Sequence, residues 1–133
     1  MVYGFAVQAG TVTPRAVAVS IPFFALVFVN LLDTTWVDRE ADGAVGKNTL
    51  ATRFPATRLR ALYLLGVGVW LGSLLVLRGS MLSGEVVLAS LLVVPFLLWG
   101  ALWYTRRRSP FPSVAAMVLT AVAQTVAWLW VAA

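Results

Sequence analysis

The sequence contains neither cysteine nor histidine, and both absences exclude whole classes of chemistry. Without cysteine there is no disulfide and no thiolate metal site. Without histidine there is no Ser-His catalytic pair, no histidine-ligated zinc and no histidine-ligated haem. The few acidic residues are left as the candidates for metal binding.

Charge is also scarce, and this scarcity sets the class of protein. Only 11% of the 133 residues are charged and 61% are hydrophobic. A typical soluble domain has about 25% charged residues and about 45–50% apolar residues. The mean hydropathy of +0.91 agrees with this composition. We therefore predict an integral membrane protein with one domain over residues 1–133. No basic region precedes the first apolar run, so a signal peptide is not expected.

Apolar runs divide the chain into membrane spans. A crossing helix needs about 20 apolar residues, and the first twelve residues of this chain are apolar but too few. The predicted fold class is all-α: a multi-span transmembrane helix bundle of about four full spans plus a partial N-terminal one. The full spans are predicted at 16–32, 61–77, 86–104 and 114–133.

Glycine and proline inside these runs predict local geometry. Pro22 and Pro95 are expected to kink their helices, because proline lacks the N–H that a helix interior needs. Gly68 and Gly72 form a G-x-x-x-G pattern, which predicts close approach of a second helix.

The basic residues predict the orientation of the chain. Eight of the ten lie in two connections that two spans separate, and these connections must share one side. The positive-inside rule then places both in the cytoplasm of a multi-pass cell-membrane protein. The net charge of +5 does not indicate nucleic acid, because the cations sit at the ends of apolar runs. The eight are Arg39, Lys47, Arg53, Arg58, Arg60, Arg106, Arg107 and Arg108, against Arg15 and Arg78 opposite.

One polar stretch, residues 30–54, holds four of the five acidic residues and the only lysine. Asp38 and Asp42 are four residues apart, so a helix would place both carboxylates on one face. Mg²⁺ prefers oxygen ligands and often binds one or two carboxylates together with substrate phosphates. The spacing therefore suggests a magnesium site, although acid pairs near helix ends are also commonly just solvated.

Further polar residues extend this pattern. Counting back by fours from Asp38 gives Thr34 and Asn30, with Asp33 three places after Asn30, which predicts a possible polar stripe down the first span. Beyond the pair, glycines offer a turn from which Lys47 can reach back toward a phosphate.

The string DREADGAVGKNTLATRF resembles the second aspartate-rich motif of the UbiA superfamily of intramembrane prenyltransferases. That motif reads D-x-x-x-D-x-x-x-G-x-x-[ST], and its fixed positions fall on Asp38, Asp42, Gly46 and Thr49. The resemblance implies a bundle of nine helices in which two such motifs hold Mg²⁺ at the cytoplasmic end. The ions bind a prenyl diphosphate, whose departing diphosphate leaves an allylic cation that alkylates a hydrophobic aromatic or lipid acceptor.

The resemblance also implies roles for individual residues. Asp38 and Asp42 would bind Mg²⁺, while Lys47 and Arg39 would contact the diphosphate. Phe24 and Phe28, on one face of the first span, would line the prenyl tunnel or stabilise the cation. Packing against other helices or lipid is the alternative for both rings.

The sequence departs from the family in one respect. The first motif, N-D-x-x-D-x-x-x-D, is absent, since Asp33, Asp38 and Asp42 are the only aspartates. We therefore expect this chain to resemble the C-terminal half of such an enzyme, to supply one half of the site and to need an N-terminal half. The alternatives are a non-catalytic membrane fragment or scaffold and a small transporter. Acids at a membrane end, rather than at the midplane, argue against transport.

Overall fold

The computed structural model describes residues 10–132, and all regular structure in this range is helical. The predicted all-α class is confirmed, whereas most of the predicted partial span, residues 1–9, lies outside the described range. The helices of this range are α1 (Pro14–Val37), α2 (Arg39–Ala44), α3 (Leu50–Arg53), α4 (Ala56–Leu77), α5 (Gly84–Leu91), α6 (Val94–Trp103) and α7 (Phe111–Ala132).

Four segments of the described range are long and apolar enough to cross a membrane, which confirms the four predicted spans. Each begins a few residues before the predicted hydrophobic run, and polar side chains cap the first and third spans. The Thr13 side chain accepts a hydrogen bond from the Ala16 amide at 3.2 Å, and Ser83 caps α5 in the same way. The segments are Pro14–Val37, Ala56–Leu77, Gly84–Trp103 and Phe111–Val131.

The third span is broken near its middle, as Pro95 predicts. Helix α5 ends at Leu91 and α6 begins at Val94. Between them the amides of Leu92 and Val93 bond to carbonyls only three residues back, at 3.3 and 3.4 Å. Proline has no amide hydrogen to continue the ladder of helical hydrogen bonds, which is consistent with the break between α5 and α6. Pro22, by contrast, lies inside the continuous helix α1.

Helix α1 is the centre of the bundle and packs against both α4 and α7, while α7 also packs against α5 and α6. The α1–α4 contact is close because Gly66 has no side chain: a Cβ there would lie 2.8 Å from Cγ2 of Val29. Gly68 and Gly72 make no close approach to another helix within residues 10–132, since no described atom would lie within 4 Å of a Cβ at either. Close approach depends on which face meets the neighbour, and Gly66 occupies that face.

Contacts at one end of the bundle join the motif to the connection between α6 and α7. The Tyr104 hydroxyl donates to the Leu32 carbonyl at 3.2 Å, and Arg108 makes a bidentate ion pair with Glu40 of α2. These contacts place the two basic connections at the same end of the bundle, as the span count requires.

Candidate functional site

The acidic pair lies where α1 gives way to α2. Asp38 is the junction residue, with φ −86° and ψ 1°, and the Asp42 amide donates to the Asp38 carbonyl at 2.8 Å. The two residues are therefore one helical turn apart, in the register that their spacing predicts. They differ in environment, because Asp38 is exposed while Asp42 is only 7% exposed.

A tight turn after α2 brings Lys47 back beside Asp42. Gly46 adopts φ +71°, a conformation that glycine reaches without strain, and the Lys47 amide then donates to the Asp42 carbonyl at 2.8 Å. The Lys47 ammonium donates to Oδ1 of Asp42 at 3.0 Å. The other carboxylate oxygen, Oδ2, is buried and has no hydrogen-bond partner among the described residues. Buried carboxylate oxygens normally have a partner, so Oδ2 is a candidate position for a further ligand.

The donor set fits one side of a magnesium site. Within residues 10–132, no three acidic side chains lie close enough to hold a metal together. Mg²⁺ is commonly bound by one or two carboxylates, with substrate phosphates and waters as its remaining ligands. Asp38 and Asp42 match that pattern, and Oδ2 of Asp42 is the oxygen free to take part.

Thr49, the last position of the motif, has a structural role. Its hydroxyl accepts from the Thr52 amide at 3.3 Å, and the Thr52 hydroxyl accepts from the Thr49 amide at 2.9 Å. This reciprocal capping box starts α3. The Thr52 hydroxyl also lies 3.1 Å from the Lys47 carbonyl, to which it can donate. The Thr49 hydroxyl thus caps α3, while the Thr52 hydroxyl ties α3 to the loop that carries Lys47.

The residues of the predicted polar stripe have separate partners. Asn30 Oδ1 accepts from the Ser113 hydroxyl of α7 at 3.2 Å, whereas the Thr34 hydroxyl donates to the Asn30 carbonyl of its own helix at 3.0 Å. Asp33 is buried and faces a small cavity beside the α6–α7 connection. Only Asp38 and Asp42 of this set belong to the motif helix and its junction.

A family model described as the UbiA prenyltransferase family matches residues 1–130 of this chain. The chain belongs to this family. The resemblance seen in the motif is thereby confirmed at the level of the family, and correspondence to a C-terminal half stays a prediction. No curated protein and no solved structure matches the chain at a significant level. Family membership and four membrane-spanning helices identify a multi-pass membrane protein of a prenyltransferase family.

Two apolar grooves run along α4 of this UbiA-family chain. One, of about 310 Å³, lies between α1 and α4 and is lined by Phe24, Phe28 and Gly66 among others. The second, of about 300 Å³, includes Arg58. Leu65 lines both grooves, so the two adjoin, and together they are named the α4 track. Phe24 is 55% exposed in this groove, whereas Phe28 lines the groove and also packs against the hydrophobic core.

Sequence reasoning missed an aromatic pair behind the motif. The rings of Tyr63 and Tyr104 stack with centroids 4.8 Å apart, and Trp36 meets Tyr104 edge to face at 6.2 Å. Gly100 makes room for this pair, since a Cβ there would lie 2.0 Å from the Tyr63 hydroxyl oxygen. The available signal was tyrosine inside an apolar span, where its hydroxyl must find space or a partner.

Proposed function

We propose that this chain takes part in transferring an isoprenyl group from a prenyl diphosphate to an aromatic or lipid acceptor, with Mg²⁺ held at Asp38 and Asp42. The observation that carries the proposal is the Asp42 carboxylate. It is buried in the family's motif, one turn from Asp38, with Oδ2 lacking a partner among the described residues.

Each residue of the motif has a distinct task in this proposal. Asp38 is exposed and accessible from water, while Asp42 is held in place by Lys47. The Lys47 side chain is itself 62% exposed, so it can also meet a diphosphate at this site. Bound Mg²⁺ would supply neutralisation of the charge that develops on the leaving diphosphate.

Arg39 is the second candidate for a diphosphate contact. Its guanidinium lies over the Trp36 ring, 4.9 Å from the centroid, which restricts its position beside the motif. It also lines a cavity of about 290 Å³ together with Glu40 and Arg108. A cation at this edge favours an anionic group near α2.

The track along α4 suits the isoprenyl chain. Its walls are apolar and it is open at the surface of the described residues, which suits a long hydrocarbon substrate. Arg58 lies at the end of the track that adjoins the motif, with its guanidinium 6.0 Å from the centroid of Phe54. A diphosphate at the motif and a prenyl tail in the track would thus be continuous.

The proposal includes a second contributor to the site. All three aspartates of the sequence lie within residues 33–42, so the first aspartate-rich set would come from another segment, joined to this chain or separate. We also propose that the motif faces the cytoplasm, on the strength of the eight basic residues at that end.

The test is a prenyl transfer assay in membranes, with this chain co-expressed beside a segment that carries N-D-x-x-D-x-x-x-D. We expect Mg²⁺-dependent transfer, and we expect Asp38→Ala and Asp42→Ala each to lower it by about 100-fold or more, because both act on transition-state charge. Glu85→Gln is the matched control, since this exposed carboxylate lies at the other end of the bundle. Full activity in the double aspartate variant would refute the proposal. No transfer beside the N-terminal segment would favour a non-catalytic scaffold.

A further inference from the structure

A second polar site lies at the motif end of the bundle, between α2 and the connection from α6 to α7. Its centre is the cavity of about 290 Å³ that includes Arg39 and Arg108, hereafter the α2 cavity. The lining includes neither Asp38 nor Asp42. The α2 cavity is therefore separate from the proposed magnesium site. Its lining residues are Trp36, Val37, Arg39, Glu40, Gly43 and Arg108.

Helical spacing separates the α2 cavity from the acidic pair. The amides of Asp38 and Asp42 each bond to the carbonyl four residues back, so the helical register continues through the junction of α1 and α2. In that register Trp36, Glu40 and Gly43 fall on one face. The two aspartates fall on the opposite face. An anion in the α2 cavity would thus lie across the helix from a Mg²⁺ ion at the pair.

The charges that line the α2 cavity favour a monoanion. Two arginines against one glutamate leave a net charge of +1 at pH 7. Arg39 has no ion-pair partner among the described residues. Arg108 donates from two of its five N–H groups to Glu40, which leaves three for another acceptor. A phosphodiester is a monoanion and matches this lining, whereas a diphosphate would bring excess negative charge beside Glu40.

Two tryptophans mark the depth of this site in a bilayer. Trp36 lies at the end of α1 and Trp103 ends α6, and tryptophan is enriched where a bilayer meets water. Each ring carries an arginine. The Arg39 guanidinium lies 4.9 Å from the centroid of Trp36, and that of Arg107 lies 4.5 Å from the centroid of Trp103. Both guanidinium groups are therefore held at the level of the phospholipid headgroups.

Apolar side chains flank the connection that carries Arg108. Leu102 and Trp103, at the end of α6, are 68% and 41% exposed, and Phe111, at the start of α7, is 56% exposed. In a bilayer such a surface contacts acyl chains. The headgroup and the tails of one phospholipid would thus both meet complementary surface here.

We propose that the α2 cavity binds the headgroup of an anionic phospholipid, with its phosphate held by Arg39 and Arg108. Basic pockets between helices at a membrane surface bind such headgroups in other proteins. This site is independent of the proposed prenyl transfer and of Mg²⁺. Arg39 is also a candidate for the diphosphate, and of these two anions the competition experiment below selects one.

The test counts the lipids bound to the full chain. Native mass spectrometry in detergent would titrate it with phosphatidylglycerol and with phosphatidylcholine of the same acyl chains, which differ in net headgroup charge. We expect phosphatidylglycerol to bind about tenfold more tightly. Arg39→Gln and Arg108→Gln should each reduce that preference about fivefold, because each removes a cation that contacts the phosphate. Arg106→Gln is the matched control, since it removes the same charge from the same connection but does not line the cavity.

Equal binding of the two lipids to the unchanged chain would overturn the proposal. An equal loss of preference in Arg106→Gln and Arg108→Gln would overturn it too, because binding would then follow the total charge of the connection. Arg39→Gln leaves the ion pair between Glu40 and Arg108 in place, so it covers the case in which Arg108→Gln does not fold.

A competition experiment separates the lipid from the diphosphate. Inorganic pyrophosphate with Mg²⁺, added to the chain loaded with phosphatidylglycerol, should leave the bound lipid in place because the two anions occupy opposite faces of α2. Displacement of the lipid would overturn the proposal and assign the α2 cavity to the diphosphate.

Discussion

The Lys47 ammonium lies 3.0 Å from Oδ1 of Asp42, while Oδ2 of the same carboxylate is buried without a partner among the described residues. The chain itself therefore compensates the charge at one oxygen, and our proposal assigns the other oxygen to Mg²⁺. This division lets a buried acid sit at the membrane end with part of its charge compensated.

Removing the Lys47 ammonium should therefore affect the diphosphate step more than the fold. In the transfer assay we expect Lys47→Met to raise the KM for prenyl diphosphate by about tenfold, because a charge-assisted contact to phosphate is lost. The acceptor KM should stay unchanged. Arg78→Gln is the control, since Arg78 is an exposed cation at the opposite end. An unchanged KM for prenyl diphosphate would show that Lys47 serves only to hold Asp42.

Gly100 should tolerate no side chain. A Cβ at this position would lie 2.0 Å from the Tyr63 hydroxyl oxygen, so Gly100→Ala should lower stability by about 1–3 kcal/mol through overpacking. Thermal unfolding in detergent would measure the loss. Gly68→Ala is the matched control, because a Cβ there has no atom within 4 Å.

Adding Tyr63→Phe to the Gly100 variant should recover part of the lost stability, since it removes the nearest atom. A Gly100→Ala variant as stable as Gly68→Ala would contradict the packing described for the tyrosine pair.

The Thr49 hydroxyl is expected to stabilise the protein because it caps the N-terminus of α3. Thr49→Val removes the side-chain acceptor for the Thr52 amide and should cost about 1 kcal/mol, whereas Thr49→Ser keeps the cap and should cost little. Chemical unfolding of both variants would measure the difference. A larger loss in Thr49→Ser than in Thr49→Val would indicate that the methyl group, rather than the hydroxyl, is what α3 needs.

The ion pair between Glu40 and Arg108 should weaken in acid. The hydrogen bond and charge of Arg108 lower the pKa of Glu40 below its ordinary value. A carboxyl whose folded pKa is lowered stabilises the fold above its unfolded pKa, about 4.3, and loses that contribution as the pH falls through the folded pKa. Arg108→Gln should therefore melt lower than the unchanged chain at pH 7, and the gap should close below about pH 4. A gap that is independent of pH would exclude the ion pair as its cause.

The absence of cysteine makes the proposed orientation directly testable. Ser80 and Ser109 are exposed and lie in connections at opposite ends of the bundle. In intact cells, a membrane-impermeant maleimide should label Ser80→Cys, and it should label Ser109→Cys only after lysis. The reverse pattern would place the motif outside the cell.

The sequence by itself determined the spans, the break at Pro95 and the register of Asp38 and Asp42. The spans could be predicted because a helix needs about 20 continuous apolar residues to cross the hydrocarbon layer. The other two are local: proline lacks an amide hydrogen, and four residues make about one helical turn. The family could be inferred in the same way, because its motif is a short continuous string.

Only the tertiary structure decided which glycine makes a close contact, which side chains lie opposite Asp33, and which contacts hold the motif end of the bundle. Gly66 contacts Val29 while Gly68 has no close neighbour among the described residues, although both lie on one helix with similar local sequence. The Asp33 cavity needs side chains from three parts of the chain, and the Glu40–Arg108 pair joins residues on different helices. Hydrophobic periodicity reports that a face is buried but not which face of another helix covers it, so these contacts depend on how the helices pack.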